Sequence, residues 1–320
     1  MRRMVFSSLA ILTILSTGCN FFKMGLISPG KVSPPEGQVP TKPPTVDALV
    51  NYMNDNSKLM TTLRCPNMDI HASQDGKLLA FRLDGRMMAR QPRSMFLRAE
   101  GMGKTQVELG SNDEEFWYWN RQDKPEPVQI HCDYKTVDEG RVQADFLPFR
   151  PDWVMETIGM GQYGPAEKYQ LKVYTRTLKL IEKTKSPQGK PVTKVIVFNR
   201  YKANAPTPQV TDYLLIDDTT GKEICSAKVH SVQVDKRAKG QYAATFPREM
   251  TIRWNKERVN LKLHIRSPEV NVNIPANALA FRRQPKGKSF DLALGRFDDV
   301  PTSSGIRQTS SRGRGFGLFR

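Results

Sequence analysis

Apolar and polar residues alternate at a period of two, and this pattern restricts the fold more than any other feature of the sequence. Met250, Ile252 and Trp254 are separated by polar residues, and Val259–Ile265 repeats the alternation. Successive side chains of a β-strand point to opposite faces, so both segments predict strands with one apolar and one polar face. The other predicted strands are residues 68–70, 77–83, 95–99, 107–109, 115–120, 171–180, 192–201, 210–216 and 223–234.

Short turns rather than helices connect most of these segments. Asp75-Gly76 and Asp84-Gly85 are dipeptides that favour two-residue hairpin turns, and residues 218–221 and 255–257 are further polar turns. An antiparallel meander is therefore expected. About ten strands of this kind curl into two packed sheets or toward a barrel.

Two helices are predicted beside the strands. Thr45 is a candidate N-cap, and apolar residues follow it at helical spacing through residue 63. A second, short helix is expected at residues 153–158, after a break that contains Pro148 and Pro151. These helices would cover one face of the sheet.

The amino terminus has the composition of an export signal. Arg2 and Arg3 precede an uncharged, mostly apolar run at residues 4–15. A basic start and a short apolar segment are typical of a signal peptide. The run is shorter than the ~20 residues needed to cross a bilayer.

Cys19 follows small residues and resembles the acylated cysteine of the bacterial lipoprotein lipobox. The resemblance implies a signal peptide at residues 1–18, with Cys19 acylated (palmitate) as the mature amino terminus. Ser16 stands where the lipobox prefers Leu, and Leu15 lies one residue earlier. An ordinary secretory signal or an uncleaved anchor is the alternative. We expect a lipid-anchored protein of the cell envelope that faces the periplasm, with the outer membrane favoured.

The rest of the chain divides into a linker, a β domain and a basic tail. Residues 19–44 are proline-rich and predict an extended linker. Residues 45–282 form the β domain, and residues 283–320, with eight Lys or Arg against three acids, are predicted to be a disordered tail. The net charge of +17 invites a nucleic-acid interpretation, as does the RGG-like segment 312–316. For an exported protein, we expect the basic tail to contact anionic lipid or wall polymer, and we expect no nucleic-acid partner.

Motifs for phosphate or dinucleotide binding are incomplete. Residues 101–105 resemble the end of a phosphate-binding loop, but Arg98 stands where its first glycine belongs, so we expect a hairpin turn. Residues 159–164 match the dinucleotide spacing, but they follow a predicted helix rather than a strand. No cofactor is expected.

No motif for catalysis or metal binding is present either. The adjacent His131 and Cys132 are expected to point to opposite faces of a strand, so we expect no metal ion shared between them. A Ser-His-Asp group remains open, because its members need not be neighbours in sequence. We expect no catalytic residues, no metal site and no enzymatic activity. Cys65, Cys132 and Cys225 are either buried thiols or include one disulfide whose members the sequence does not identify.

Residues 62–119 resemble the LolA/LolB superfamily of bacterial lipoprotein carriers. The resemblance rests on an initial helix and strand, Asp-Gly turns, the proline-led strand at 91–98, and the polar turn and aromatic strand at 109–119. It continues more weakly to residues 273–275 and Phe281. The domain is larger than a typical soluble carrier of that superfamily.

This resemblance implies a mainly β fold, an antiparallel unclosed half-barrel with covering helices that encloses a cavity for acyl chains. The candidate cavity residues are Met95, Leu97, Val107, Leu109, Phe116, Trp117 and Trp119. One function is the non-catalytic binding of acyl chains of lipoproteins or lipids. The alternative is a structural or sensor lipoprotein in which these residues fill a core, and which binds a protein or wall partner.

Overall fold

The fold is known from a computed structural model that describes residues 42–74, 77–121, 126–144, 150–236, 243–255 and 258–298. The signal peptide, Cys19, most of the linker, the Asp75-Gly76 turn and residues 299–320 lie outside these ranges. The helices are α1 (Val46–Lys58), α2 (Tyr134–Asp138) and α3 (Pro151–Met155), which continues into a π-helical turn at Glu156–Met160. Within the described ranges, no helix has the length and apolar character to cross a membrane.

Sixteen strands make up one sheet in the described part of the chain. In chain order they are β1 Thr62–Gln74, β2 Lys77–Arg90, β3 Ser94–Gly101, β4 Lys104–Ser111, β5 Glu115–Asn120, β6 Val128–Asp133, β7 Tyr169–Val173, β8 Thr177–Lys185, β9 Pro191–Asn199, β10 Val210–Asp217, β11 Glu223–Val234, β12 Thr245–Trp254, β13 Val259–Ile265, β14 Glu269–Val270, β15 Lys288–Asp291 and β16 Arg296–Phe297.

The sheet does not close, and it consists mainly of two antiparallel meanders, β1–β6 and β7–β13, joined where β1 pairs with β13. Its order is β16-β15-β6-β5-β4-β3-β2-β1-β13-β12-β11-β10-β9-β8-β7, with β14 paired to the start of β1. The pairing of β15 with β6 is parallel, and the other pairs are antiparallel. These observations confirm the predicted mainly β fold with an unclosed antiparallel sheet, an amino-terminal helix and short helices.

One face of the sheet, called the inner face below, carries the main core. Helix α1 buries Leu49, Val50 and Met53 against it, and α3 places Trp153 edge-on to Trp254 of β12, with ring centroids 6.2 Å apart. Eight buried methionines belong to this core: Met53, Met60, Met68, Met87, Met95, Met155, Met160 and Met250. Unbranched methionine fills irregular gaps and repacks readily, so this core is adaptable.

The opposite, outer face is covered near β2–β6 by the segment after β13. Phe96 of β3 packs against Ile274 and Phe281. Beside them the carboxylate of Glu108, 2 % exposed, accepts hydrogen bonds from Arg98 at 2.9 Å and Lys286 at 2.7 Å. A buried charge is tolerated when it is paired in this way.

The predicted disordered tail therefore begins too early. Residues 288–291 form β15 and residues 296–297 form β16, and Arg283 pairs with Glu115 at 3.0 Å. Its basic composition is typical of a disordered tail. In the structure, however, cations of this segment form ion pairs with acidic residues that are distant in sequence.

Three predicted element boundaries are also corrected. Helix α1 ends at Lys58 rather than near residue 63, and Leu63 belongs to β1 and pairs with Val270. Residues 171–180 span two strands, β7 and β8, rather than one. Asp84-Gly85 is no turn but lies inside β2, where a β-carbon at Gly85 would lie 2.6 Å from Ile70 Cδ1. That glycine serves close packing between strands.

Other local predictions are confirmed. The Thr45 side chain caps α1 and accepts a hydrogen bond from the backbone N–H of Ala48 at 3.2 Å. Met102 and Gly103, with φ of 54° and 70°, form the predicted turn between β3 and β4. Strands β5, β11 and β13 have the predicted bounds.

Replacing Gly110 by alanine is expected to lower the free energy of unfolding by about 1–3 kcal/mol, the usual cost of overpacking. A β-carbon there would lie 2.3 Å from the indole of Trp117. The sign of the change in the free energy of unfolding is informative, because alanine is ordinarily favoured over glycine in a strand by ~0.5–1 kcal/mol. Urea unfolding measures the change. The double variant Gly110→Ala/Trp117→Leu should lose less than the sum of the two single changes; simple additivity would contradict the contact.

Candidate functional site

Four of the seven candidate cavity residues lie together on the inner face. Leu97 of β3 pairs with Leu109 of β4, and Val107 pairs with Ala99 two residues further along. Met95 lies on the same face of β3, and it is fully buried in the main core. The predicted alternation therefore brings these four side chains together on the part of the inner face that α3 contacts.

Phe116 occupies the same face but packs in a separate, smaller cluster. Its ring lies 5.5 Å from that of Tyr134, at the start of α2, and Cys132 and Val137 are its neighbours in the cluster. It pairs with Ser111, at the end of β4. Phe116 therefore lies beyond the end of the main core.

Trp117 and Trp119 lie on the outer face, which corrects their placement in the cavity. Trp117 pairs with Gly110 and Trp119 pairs with Glu108, and both partners point away from Leu109. Lys286 of the covering segment stands 4.7 Å from the Trp119 ring centroid. In a run of four aromatic residues the sequence shows no alternation, so it could not separate the two faces.

The inner face is largely filled by side chains. Between α1, the π-helical turn and β10–β12 there is a cavity of about 50 Å³, lined by residues that include Tyr52, Tyr163 and Tyr213. Such a space holds a water molecule or two but not an acyl chain. This cavity is thus far smaller than the acyl-chain cavity that the resemblance implies.

A larger apolar groove lies beside this cavity, between the start of α1, strands β8 and β11, and residues 199–209. Its volume is about 800 Å³, within the ~300–1,000 Å³ of ordinary ligand pockets. The apolar lining consists mainly of Leu49, Tyr52, Leu178, Val232 and Val234. Groove and cavity share Tyr52, Gln209, Val232 and Thr245, so the groove leads toward the main core.

The electrostatics of this groove favour an anionic ligand. Of the residues that the structure describes, Lys42, Arg200 and Lys202 line it, and no aspartate or glutamate does. Within the described residues the Nε–H of Arg200 is buried without a hydrogen-bond partner, while its Nη1 donates to the carbonyl of Tyr174 at 3.2 Å. Burial raises the pKa of Tyr52, so its hydroxyl is neutral at physiological pH. The groove thus combines an apolar floor with positive charge.

Two asparagine side chains hold α1 over the inner face. Asn56 donates to the carbonyl of Thr245 at 2.9 Å and accepts from its N–H at 2.8 Å. Asn54 makes the same paired contact with Tyr163, at 3.2 and 3.0 Å. An amide side chain carries both a donor and an acceptor, so each asparagine satisfies the backbone N–H and the C=O of one residue. We call these two contacts the asparagine clasps.

The cysteines take no part in the groove. No disulfide joins Cys65, Cys132 and Cys225, all of which are buried. Cys65 and Cys225 lie in the main core and Cys132 in the smaller cluster. Burial raises the pKa of Cys65 and of Cys132 to about 12, so these two thiols stay protonated.

Sequence reasoning missed the groove itself. Its walls come from α1, from β8 and from the 199–209 segment, which only the folded sheet brings together. The alternation at residues 232 and 234 identified a strand face. That alternation does not indicate which part of the sheet α1 leaves uncovered.

Comparison with known proteins finds similarity in structure only. No protein-family model matches the chain, and no curated protein matches it. Solved structures similar to it include a LolA superfamily protein from Nitrosomonas europaea, with a TM-score of 0.42 and 6% identity over 72% of this chain and 96% of that one.

Two further structures are similar to the same extent. A DUF1329 family protein from Desulfovibrio piger has a TM-score of 0.42 and 7% identity, covering 72% of this chain and 95% of that chain. An outer membrane lipoprotein-sorting protein domain from Vibrio parahaemolyticus has a TM-score of 0.44 and 8% identity, covering 74% and 100%. The superfamily that the sequence resembles is thus represented among these structures. Similarity at this level does not define a ligand, so the groove's own chemistry must do so.

The Asn56→Ala variant is expected to lose about 1–3 kcal/mol of stability, because it leaves the peptide groups of Thr245 without their partners. Urea unfolding and hydrogen exchange of the α1 amides measure the effect. Asn51→Ala is the matched control, since Asn51 is exposed on the same helix. Equal effects of the two substitutions would contradict the clasp.

Proposed function

We propose that this protein binds acyl chains of lipids or lipoproteins, without catalysis, from a lipid-anchored position in the cell envelope. The observation that carries the proposal is the apolar groove with its cationic lining beside the methionine-rich core. An acyl chain matches the apolar floor, and an anionic headgroup matches Lys42, Arg200 and Lys202. The resemblance to lipoprotein carriers in the sequence supports the same class of ligand.

Binding would begin in the groove and extend under α1. Each methylene group transferred from water to an apolar site contributes about 0.8 kcal/mol. The asparagine clasps are polar contacts that water can replace when α1 moves. The methionines of α1 and the sheet, such as Met53 and Met250, can then repack around a flexible chain.

The membrane anchor in this proposal is acylated Cys19. The linker at residues 19–44 would let the β domain reach about 80 Å from the bilayer if fully extended, at ~3.1 Å per residue. More than one acyl chain gives stable anchoring. The periplasmic face of the outer membrane is the proposed location, and the basic residues of 299–320 would contact anionic lipid or wall polymer.

One observation favours the alternative of a structural or sensor lipoprotein. The inner face is filled, and the cavity beneath α1 measures only about 50 Å³. In that case the groove would receive a protein or a wall polymer rather than an acyl chain. The ligand decides between the two functions.

The Val234→Glu variant is expected to weaken acyl-chain binding by at least ~10-fold, because it places a carboxylate in the apolar groove. Val234 is 39% exposed, so the fold should tolerate the change. The measurement is binding of a fluorescent fatty acid to the purified, delipidated chain. Mass spectrometry of solvent extracts from the untreated protein provides a second measurement.

Leu294→Glu serves as the control, because it adds the same charge to an exposed side chain near the opposite edge of the sheet. This variant should bind like the unmodified protein. Absence of any acyl ligand in the extract, together with no binding of the fluorescent fatty acid, would refute the proposed function and leave the structural alternative.

The Cys19→Ala variant is expected to move from the membrane fraction to the soluble fraction of the cell, since it removes the acylated thiol. Immunoblotting of fractionated cells measures the distribution. Cys65→Ala is the control, because Cys65 is buried in the core and unavailable for acylation. A Cys19→Ala protein that still sediments with membranes would contradict the anchor.

A further inference from the structure

A histidine and two aspartates meet at the sheet edge formed by β6, β15 and β16. His131 of β6 lies beside Asp291 of β15 in the parallel register, and Asp298 follows β16. One ligand atom of each side chain lies within 4.8 Å of the other two. The closest pair is His131 Nε2 and Asp298 Oδ2, 2.9 Å apart.

We propose that His131, Asp291 and Asp298 bind a divalent transition-metal ion of the zinc class. Imidazole nitrogen and carboxylate oxygen are both zinc ligands, and three protein ligands with one water complete a tetrahedral site. The metal would take the place of the proton between His131 Nε2 and Asp298. A neutral ring would bind it as the Nδ1–H tautomer, so the proton lost from Nε2 is matched by one taken up at Nδ1, whereas a doubly protonated ring would release one proton to solvent. This proposal is independent of the apolar groove and of the function proposed for it.

The backbone around the site holds the ligands in place. Asp291 Oδ1 accepts hydrogen bonds from the N–H groups of Ala293 at 2.7 Å and Leu294 at 3.3 Å. The N–H of Asp298 donates to the carbonyl of Ser289 at 2.9 Å. His131 is only 8% exposed, so its ring has little freedom to turn away. Outer contacts of this kind orient metal ligands.

The charge of the site suits a cation. The carboxylates of Asp291 and Asp298 both lie beside the His131 ring, which is hydrogen-bonded to Asp298. Arg283 also acts on Asp298, but its side chain is paired with Glu115 at 3.0 Å. A metal ion would therefore join two carboxylates rather than displace a buried cation.

A second histidine–aspartate pair provides a natural contrast. His264 Nδ1 lies 3.6 Å from Asp69 Oδ2, but Asp69 also accepts hydrogen bonds from Arg82 and Arg266. The two guanidinium groups occupy its oxygens and repel a cation. The pair at His264 should not bind a metal ion.

The test uses the purified full chain after treatment with EDTA, titrated with Zn²⁺ in a calorimeter and with Co²⁺ in a spectrophotometer. One equivalent of Zn²⁺, a rise in Tm, and visible Co²⁺ bands typical of tetrahedral nitrogen and oxygen ligands are expected. No saturable binding would overturn the site. Thiolate-to-cobalt charge-transfer bands would assign the metal to a cysteine and overturn it as well.

Variants locate the ion. Asp298→Asn is expected to weaken Zn²⁺ binding at least ~10-fold, and its partial exposure favours a stable fold. His131→Gln should weaken Zn²⁺ binding to a similar extent. Because the His131 ring is buried, circular dichroism checks that this variant is folded. His264→Gln is the control and should bind as the unmodified chain does. Unchanged affinity in Asp298→Asn would overturn the assignment.

Discussion

The pairing of β1 with two long neighbours is the contact on which the sheet depends. On one side β1 pairs with β2, which begins the meander of the first half, and on the other side with β13, which ends the meander of the second half. The registers that place Ile70 beside Leu263 and Leu83 align the apolar alternation of both halves on one face. A slip of one residue would turn that face toward the solvent. The helices can cover a single core only because this register is kept.

The sequence predicted local structure correctly wherever the two-residue alternation and the turn residues indicate the same element. Strand β11 follows from the alternation, and the turn between β3 and β4 follows from Gly103, since glycine readily adopts positive φ. It was insufficient where one signal had two physical meanings. Gly85 follows an aspartate as a turn glycine does, yet it serves close strand packing. Trp117 and Trp119 are apolar like their neighbours, yet the pleat directs them to the outer face.

The candidate site was less predictable than the fold, because long-range contacts define it. The alternation correctly grouped Met95, Leu97, Val107 and Leu109, but the groove is formed where α1 leaves the sheet uncovered near Val234. The expectation of no metal site considered only ligands close in sequence. The cluster at His131 gathers its aspartates from about 160 residues further along the chain. Neither the groove nor this cluster has a local spacing that sequence reasoning could detect.

The parallel pairing of β15 with β6 has a consequence for the order of assembly. Strand β6 is made near residue 130, but its partner follows only after residue 287. Until then the backbone N–H and C=O groups along that side of β6 have no strand to bond. Unpaired edges of this kind invite association between chains. A chain synthesised amino terminus first therefore completes this side of the sheet only when its last described strands have been made.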